Sequence, residues 1–179
     1  YVVGRFGSPR SGDDPLGTAD FDPSSAGQVI LTSSGYADAY VLKLSSQGDY
    51  VWVGQFGGSG FDSGISVDVD QDGHVYATGT FAGSFDLDPG SETQLASAVG
   101  GQDAFVVKLE SGGEFVWGGT MGSLGRDEGW QVRADSAGNV YVGGRFERTV
   151  DFGNGVMLAA AGGYDGFLWK LDVAGQFAG

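Results

Sequence analysis

The sequence predicts an all-β fold built from repeated four-stranded antiparallel units, and three observations carry that prediction. "DAYVLKLSSQGDYVW", Asp38 to Trp52, returns as "DAFVVKLESGGEFVW", Asp103 to Trp117, with nine of the fifteen positions identical. Short β-branched and aromatic runs alternate with Gly, Asp and Ser clusters, which are strand and turn signals, and no segment keeps a helical period. The repeated strand "DAFVVKL" is apolar on both faces, with Ala104 and Val106 on one and Phe105, Val107 and Leu109 on the other. A half-solvated strand would alternate, so each sheet must be covered on both sides.

Four-stranded sheets stacked face to face in repeating order describe β-propeller blades. A two-sheet sandwich is the rival, but it does not call for such close internal repetition. Trp52 and Trp117, Tyr76 and Tyr141, and Phe81 and Phe146 are each 65 residues apart. Labelling the strands of a blade a to d, residues 1–57 form a partial blade (b, c, d) with a long loop over 8–35. Residues 58–121 form a complete blade, and 122–179 a nearly complete one. In the complete blade, "GISVDVD" is strand a and "HVYATGTF" strand b. A Gly/Asp/Pro-rich loop leads to "DAFVVKL" as c, and "EFVWGGTM" is d. Tyr1 and Gly179 both align inside strands. The expectation is about two and three-quarter blades of a larger ring, since closed propellers use roughly four to eight.

Composition narrows the function classes. Twenty-three acidic residues against nine basic give a net charge of −14. That weighs against nucleic acid and anionic membranes, which attract basic surfaces, and leaves carboxylates able to hold cations. Cysteine is absent. Thiol catalysis, disulfides and zinc–thiolate sites are therefore excluded. No apolar run approaches the roughly 20 residues of a spanning helix, so membrane insertion is not expected.

Several motifs resemble a known family. They are G-x-D-A-F-V-x-K-L, G-x-x-x-W, F-G-G-S-G-x-D before a V-x-V-D strand, and G-x-V-Y-x-T-G-x-F before D-x-D-P-G. They are similar to the bacterial seven-bladed β-propeller repeat called SBBP, in two to three copies over nearly the whole chain. Arg133 in place of Asp68, and "VDFGNG" in place of "FDLDPG", depart from the pattern. The resemblance implies a propeller in a large secreted or surface bacterial protein, hence an extracellular, cell-surface or periplasmic location, and no particular reaction. The G-x-x-x-W element also resembles the tryptophan-docking motif of quinoprotein propellers. That likeness implies a structural blade-docking role for Trp52 and Trp117.

Candidate sites are few. Asp68, Asp70 and Asp72 open a D-x-D-x-D-G sequence that can begin a calcium loop. The ninth position is Tyr76 rather than an acid, so a hairpin turn is the competing reading. Asp20, Asp22, Asp86, Asp88 and Asp151 recur by unit. Recurrence favours turn formation over a catalytic pair, which is needed only once. Lys43, Lys108 and Lys170, and likewise Asp38, Asp103 and Asp165, share repeat positions and read as scaffold. His74 is the sole histidine, so no Ser-His-Asp constellation is expected. Non-repeating residues are better functional candidates. Arg126, Asp127, Glu128 and Trp130 form a possible interaction patch, although Trp130 takes the place of Ile65 at a position expected to face the core.

The function expected from sequence is a non-enzymatic propeller scaffold that binds a protein or cell-surface polymer and meets further blades from the same or another chain. A carbohydrate- or calcium-assisted adhesion module is the alternative. A propeller enzyme ranks last, because no cofactor cage is evident and "DVDQDGHVY" lacks the spacing and Trp of a sialidase hairpin box.

Overall fold

The computed structural model describes residues 1–7 and 17–179. Residues 8–16 of the long loop in the first unit lie outside the described residues. All named elements are strands. They are β1 (Val2–Phe6), β2 (Thr18–Asp20), β3 (Ile30–Thr32), β4 (Asp38–Leu44), β5 (Tyr50–Gly58), β6 (Ser63–Val69) and β7 (Val75–Phe81). There follow β8 (Ser84–Asp86), β9 (Leu95–Ser97), β10 (Asp103–Leu109), β11 (Phe115–Met121), β12 (Glu128–Ala134), β13 (Val140–Asp151) and β14 (Met157–Leu171).

The central sheet runs β11-β10-β7-β6, a full set of d, c, b and a strands joined antiparallel. Before it, β1-β4-β5 supply b, c and d; after it, β12-β13-β14 supply a, b and c. A single bridge from Leu171 to Phe177 starts the next d strand. The fold is thus a set of partial and complete propeller blades that does not close into a ring.

The segment between b and c is more ordered than its loop-like composition suggests. β8 and β9 form a short hairpin, as do β2 and β3 in the first unit. In the third, the hairpin is continuous with β13 and β14, where Thr149–Asp151 pair with Met157–Ala159. Asp side chains make these corners. Asp86 Oδ1 accepts from the Asp88 and Gln94 N–H groups (3.1 and 2.8 Å), and Asp20 Oδ1 from those of Asp22 and Val29 (3.1 and 2.9 Å). These acids replace backbone partners that a corner cannot offer, and are spent on turns. β8 also pairs with the end of β5, so the hairpin of one unit clamps the preceding blade.

Two apolar layers lie between the three sheets. In one, Ala39, Val41 and Phe56 meet Val75, Ala77, Phe105, Val107 and Leu109. In the other, Tyr76, Ala104, Val106 and Met121 meet Val132, Val140, Val142, Phe167 and Trp169. β10 feeds both layers and is buried along its whole length. This is the two-faced burial its sequence requires. The outermost faces are uncovered. Val41 and Val106 are 1% and 0% exposed, whereas Leu168, at the matching position of the last sheet, is 67% exposed.

Candidate functional site

The junctions between sheets are built from repeated parts. The Trp52 indole N–H donates to the Ser111 carbonyl in the turn of the following sheet, and Trp117 donates to Val173 in the next (both 3.1 Å). Gly113 and Gly175 lie flat against these rings with φ of 99° and 76°. A side chain at either position would be strained and would push the indole away. Lys43, Lys108 and Lys170 lie over the rings of Tyr1, Tyr76 and Tyr141, with Nζ 5.4, 5.5 and 5.6 Å from the centroids. Cross-strand pairing sets up this arrangement, since Lys108 faces Tyr76 and Lys170 faces Tyr141. The lysine heads are thus occupied by aromatic faces.

Asp68, Asp70 and Asp72 do not converge. Asp68 reaches across the junction and accepts from the Ala134 N–H (2.9 Å), while Ser66 accepts from Val132 (3.2 Å). These two side chains cap the free edge of β12, which would otherwise expose unpaired N–H groups. Asp70 and Asp72 instead lie near His74, with one ligand atom of each within 4.8 Å of the others. Asp70 is already saturated: Oδ1 accepts from the Asp72 and His74 N–H groups, and Oδ2 meets His74 Nδ1 (2.9 Å) and the Tyr76 hydroxyl (2.8 Å). Burial alone would raise its carboxyl; the hydrogen bonds from Tyr76 and His74 outweigh that and hold it below 3.8. The equivalent turn reproduces the pattern with asparagine. Asn139 Nδ2 donates to Asp135 Oδ2 (2.8 Å), and Tyr141 donates to the same oxygen (3.2 Å). His74 therefore stands where an amide serves equally well as a turn clamp.

The non-repeating residues form a more distinctive surface. β12 carries a bulge: Gly129 faces Gly144 and Gln131 faces Gly143, which leaves Trp130 as the extra residue. β6 has the same irregularity at Ile65. A bulged residue is re-aimed out of the pleat. Trp130 is 48% exposed and Ile65 41%, so neither faces the core as strand alternation suggests. Ile65 has neighbouring sheets on both sides, so exposure belongs to the bulge itself and not to a missing neighbour.

The bulge also shifts register by one, placing Glu128 opposite Arg145. Glu128 Oε2 accepts from Arg145 Nε (2.8 Å) and Trp130 Nε1 (2.9 Å), and Oε1 pairs with Arg126 Nε (2.7 Å). Burial would raise this carboxyl; the Arg145 and Trp130 hydrogen bonds and the two guanidinium charges outweigh it and hold it below 4.5. The Arg145 guanidinium lies 4.0 Å from the Tyr164 ring centroid and 5.2 Å from that of Trp130. The result is an aromatic and guanidinium surface anchored from beneath by one buried carboxylate. Three of the four sequence candidates, Arg126, Glu128 and Trp130, meet here. Asp127 does not: it is fully buried and bonds Ser123 and the Glu147 N–H. Arg145 and Tyr164 are the members that sequence reasoning missed. Arg145 sits in a repeated "GRF", matching Arg5, and its partnership with Glu128 emerges only when the bulge is placed in the register.

No family model matches the chain. It is similar to the regulatory protein FlaEY of Caulobacter vibrioides, 28% identical over 167 residues that cover 93% of this chain and 17% of that protein. It is also similar to a WD repeat-containing protein, L264, of Acanthamoeba polyphaga mimivirus, 25% identical over 154 residues, 80% of this chain and 11% of that one. The chain thus spans less than a fifth of the length of these curated relatives. WD repeats form four-stranded propeller blades. That likeness and the stacked antiparallel sheets together describe a β-propeller-like repeat fold.

Proposed function

We propose that the chain is a non-enzymatic scaffold and interaction segment of a larger β-propeller, of the SBBP repeat type, working outside the cell or at its surface. Its two end faces receive further blades, and the surface around Trp130 and Arg145 receives a protein or a cell-surface polymer. The observation that carries the recognition reading is Trp130: a large aromatic, half exposed on a bulge, beside arginines fixed by Glu128. Trp and Arg held rigidly at a surface are the residue types that dominate binding energy at interfaces. Two names among the relatives support the general class, one a regulatory protein and one a WD repeat protein.

The test compares immobilised wild-type chain with Trp130→Ala and Arg126→Ala over a panel of purified bacterial surface polysaccharides and secreted proteins. A true partner loses about tenfold or more in affinity on Trp130→Ala, the scale of an interface anchor. Partners that bind both variants as they bind wild type would return this surface to scaffold.

A further inference from the structure

Each complete junction holds two buried carboxyls that blade docking and the Trp130 surface leave unexplained. Asp38 and Asp103 open the c strands β4 and β10, and Asp62 and Asp127 immediately precede the a strands of the following sheet. The residues just before them meet in parallel bridges, Ala37 with Phe61 and Gln102 with Arg126. The Asp62 N–H donates to the Ala37 carbonyl (2.8 Å) and that of Asp127 to Gln102 (2.7 Å). One residue beyond a parallel bridge, side chains from both strands point the same way, so the two carboxyls of each junction are neighbours. All four are at most 1% exposed.

Asp127 is well supplied, accepting from the Ser123 N–H and hydroxyl and from the Glu147 N–H; the other three have fewer donors. Asp38 Oδ2 accepts from the Ser34 N–H and Gln55 Nε2, and Asp103 Oδ2 from the Val99 N–H. Asp62 accepts from the Gly58 and Ala82 N–H groups. Gly57 and Gly122 run directly over Asp38 and Asp103, where a Cβ would collide with the carboxyl. The Oδ1 atoms of Asp38 and Asp103 are buried and have no hydrogen-bond partner, and the cavity that Asp38 lines brings Asp86 and Asp88, further acids, to its side. The charged groups nearby do not compensate. The Arg5 guanidinium rests on the Phe61 ring, Glu147 adds a further negative charge at Asp127, and the Arg126 guanidinium is taken by Glu128. Among the described residues, none of the four acids is in an ion pair.

Two buried neighbouring carboxylates without a cation are costly when both are charged. A bound metal would need room against the unpartnered oxygen, whereas a proton needs none. We propose that each blade junction is closed by a proton shared between its two carboxyls, Asp38 with Asp62 and Asp103 with Asp127, so that blade docking depends on pH. Burial first, and the neighbouring carboxylate after it, push Asp62 up to about 7 and Asp103 up to about 6; burial raises Asp127 as well. The folded chain thus keeps protons that the unfolded chain has released above 3.8, and loses them near 6 to 7. Stability therefore falls as pH rises through that window.

The test is thermal unfolding of the chain across this pH range, beside an Asp38→Asn/Asp103→Asn double variant. Asparagine stays neutral, and its Nδ2 takes the place of the unpartnered Oδ1 and can donate to the neighbouring carboxylate. Its oxygen keeps the bonds from Ser34, Gln55 and Val99. The wild-type melting temperature is expected to fall by about 5–10 °C between about pH 5 and about pH 8, and the double variant to lose most of that slope. Infrared spectra of the wild type make the result independent of whether the variant folds: a protonated carboxyl band must persist near pH 6 and vanish on denaturation. A folded wild type with every carboxyl ionised there would overturn the proposal. So would millimolar calcium restoring the melting temperature near pH 8, which would place a metal at the pair.

Discussion

Leu168 and Val106 occupy the same position in successive sheets but differ in exposure, 67% against 0%, which makes them a matched pair for testing how the blades are stabilised. Val106→Ala removes two methyl groups from a closed layer. At about 0.8 kcal/mol per buried carbon, plus a cavity contribution, the loss is about 2–3 kcal/mol. For a chain of this size that lowers the melting temperature by roughly 5–10 °C. Leu168→Ala removes three carbons, but two-thirds of the side chain is already in water, so its cost is about 0.5–1 kcal/mol, or roughly 1–3 °C. Thermal unfolding followed by circular dichroism measures both. In a longer polypeptide carrying the next blade, the Leu168→Ala cost should rise to match that of Val106→Ala. Equal and large losses in the 179-residue chain would refute the view that the last face is uncovered. Two small losses would refute the reading of Val106 as a blade-sealing residue.

Trp117→Phe keeps most of the ring but loses the hydrogen bond to Val173, and should destabilise by about 1 kcal/mol in the same assay, as should Trp52→Phe through Ser111. Glu128→Gln removes the charge beneath Arg126 and Arg145 and should cost about 1–3 kcal/mol at neutral pH. Because that carboxyl is held below 4.5, its contribution is complete above 4.5 and is lost as pH falls through its lowered value; the variant should show a shallower acid limb in pH-dependent melts. His74→Asn should change stability by less than about 0.5 kcal/mol, since Asn139 makes the same clamp, and millimolar calcium should leave the melting temperature of the wild type unchanged. A calcium-induced rise that His74→Asn or Asp72→Asn abolishes would show a metal site at this turn.

The architecture was legible because its signals are local and repeated. β10 announces two-sided burial in its own seven residues, and the Gly and Asp turns mark the hairpin ends. The β8–β9 hairpin was not legible, because its strands are three residues long and their polar composition matches a loop. The site was only partly legible for a related reason. Alternation places Trp130 inward, and a single inserted residue in the ladder reverses that. Asp68 looked like a ligand of its own turn, while its partner, the Ala134 N–H, lies 66 residues away in another sheet. The paired acids Asp38 with Asp62 and Asp103 with Asp127 repeat at a fixed interval, yet only the parallel bridges reveal them as neighbours.

The bulge at Ile65 and Trp130 separates two kinds of information in one strand. Its ladder positions must satisfy the sheet, and among them Gly64 and Val67 return unchanged as Gly129 and Val132. The extra residue is excused from pairing and can hold isoleucine in one blade and tryptophan in the next at no cost to the frame. A ring assembled from such blades would present one freely writable letter per blade at equivalent places, so that specificity can be rewritten while the structure carrying it is left alone.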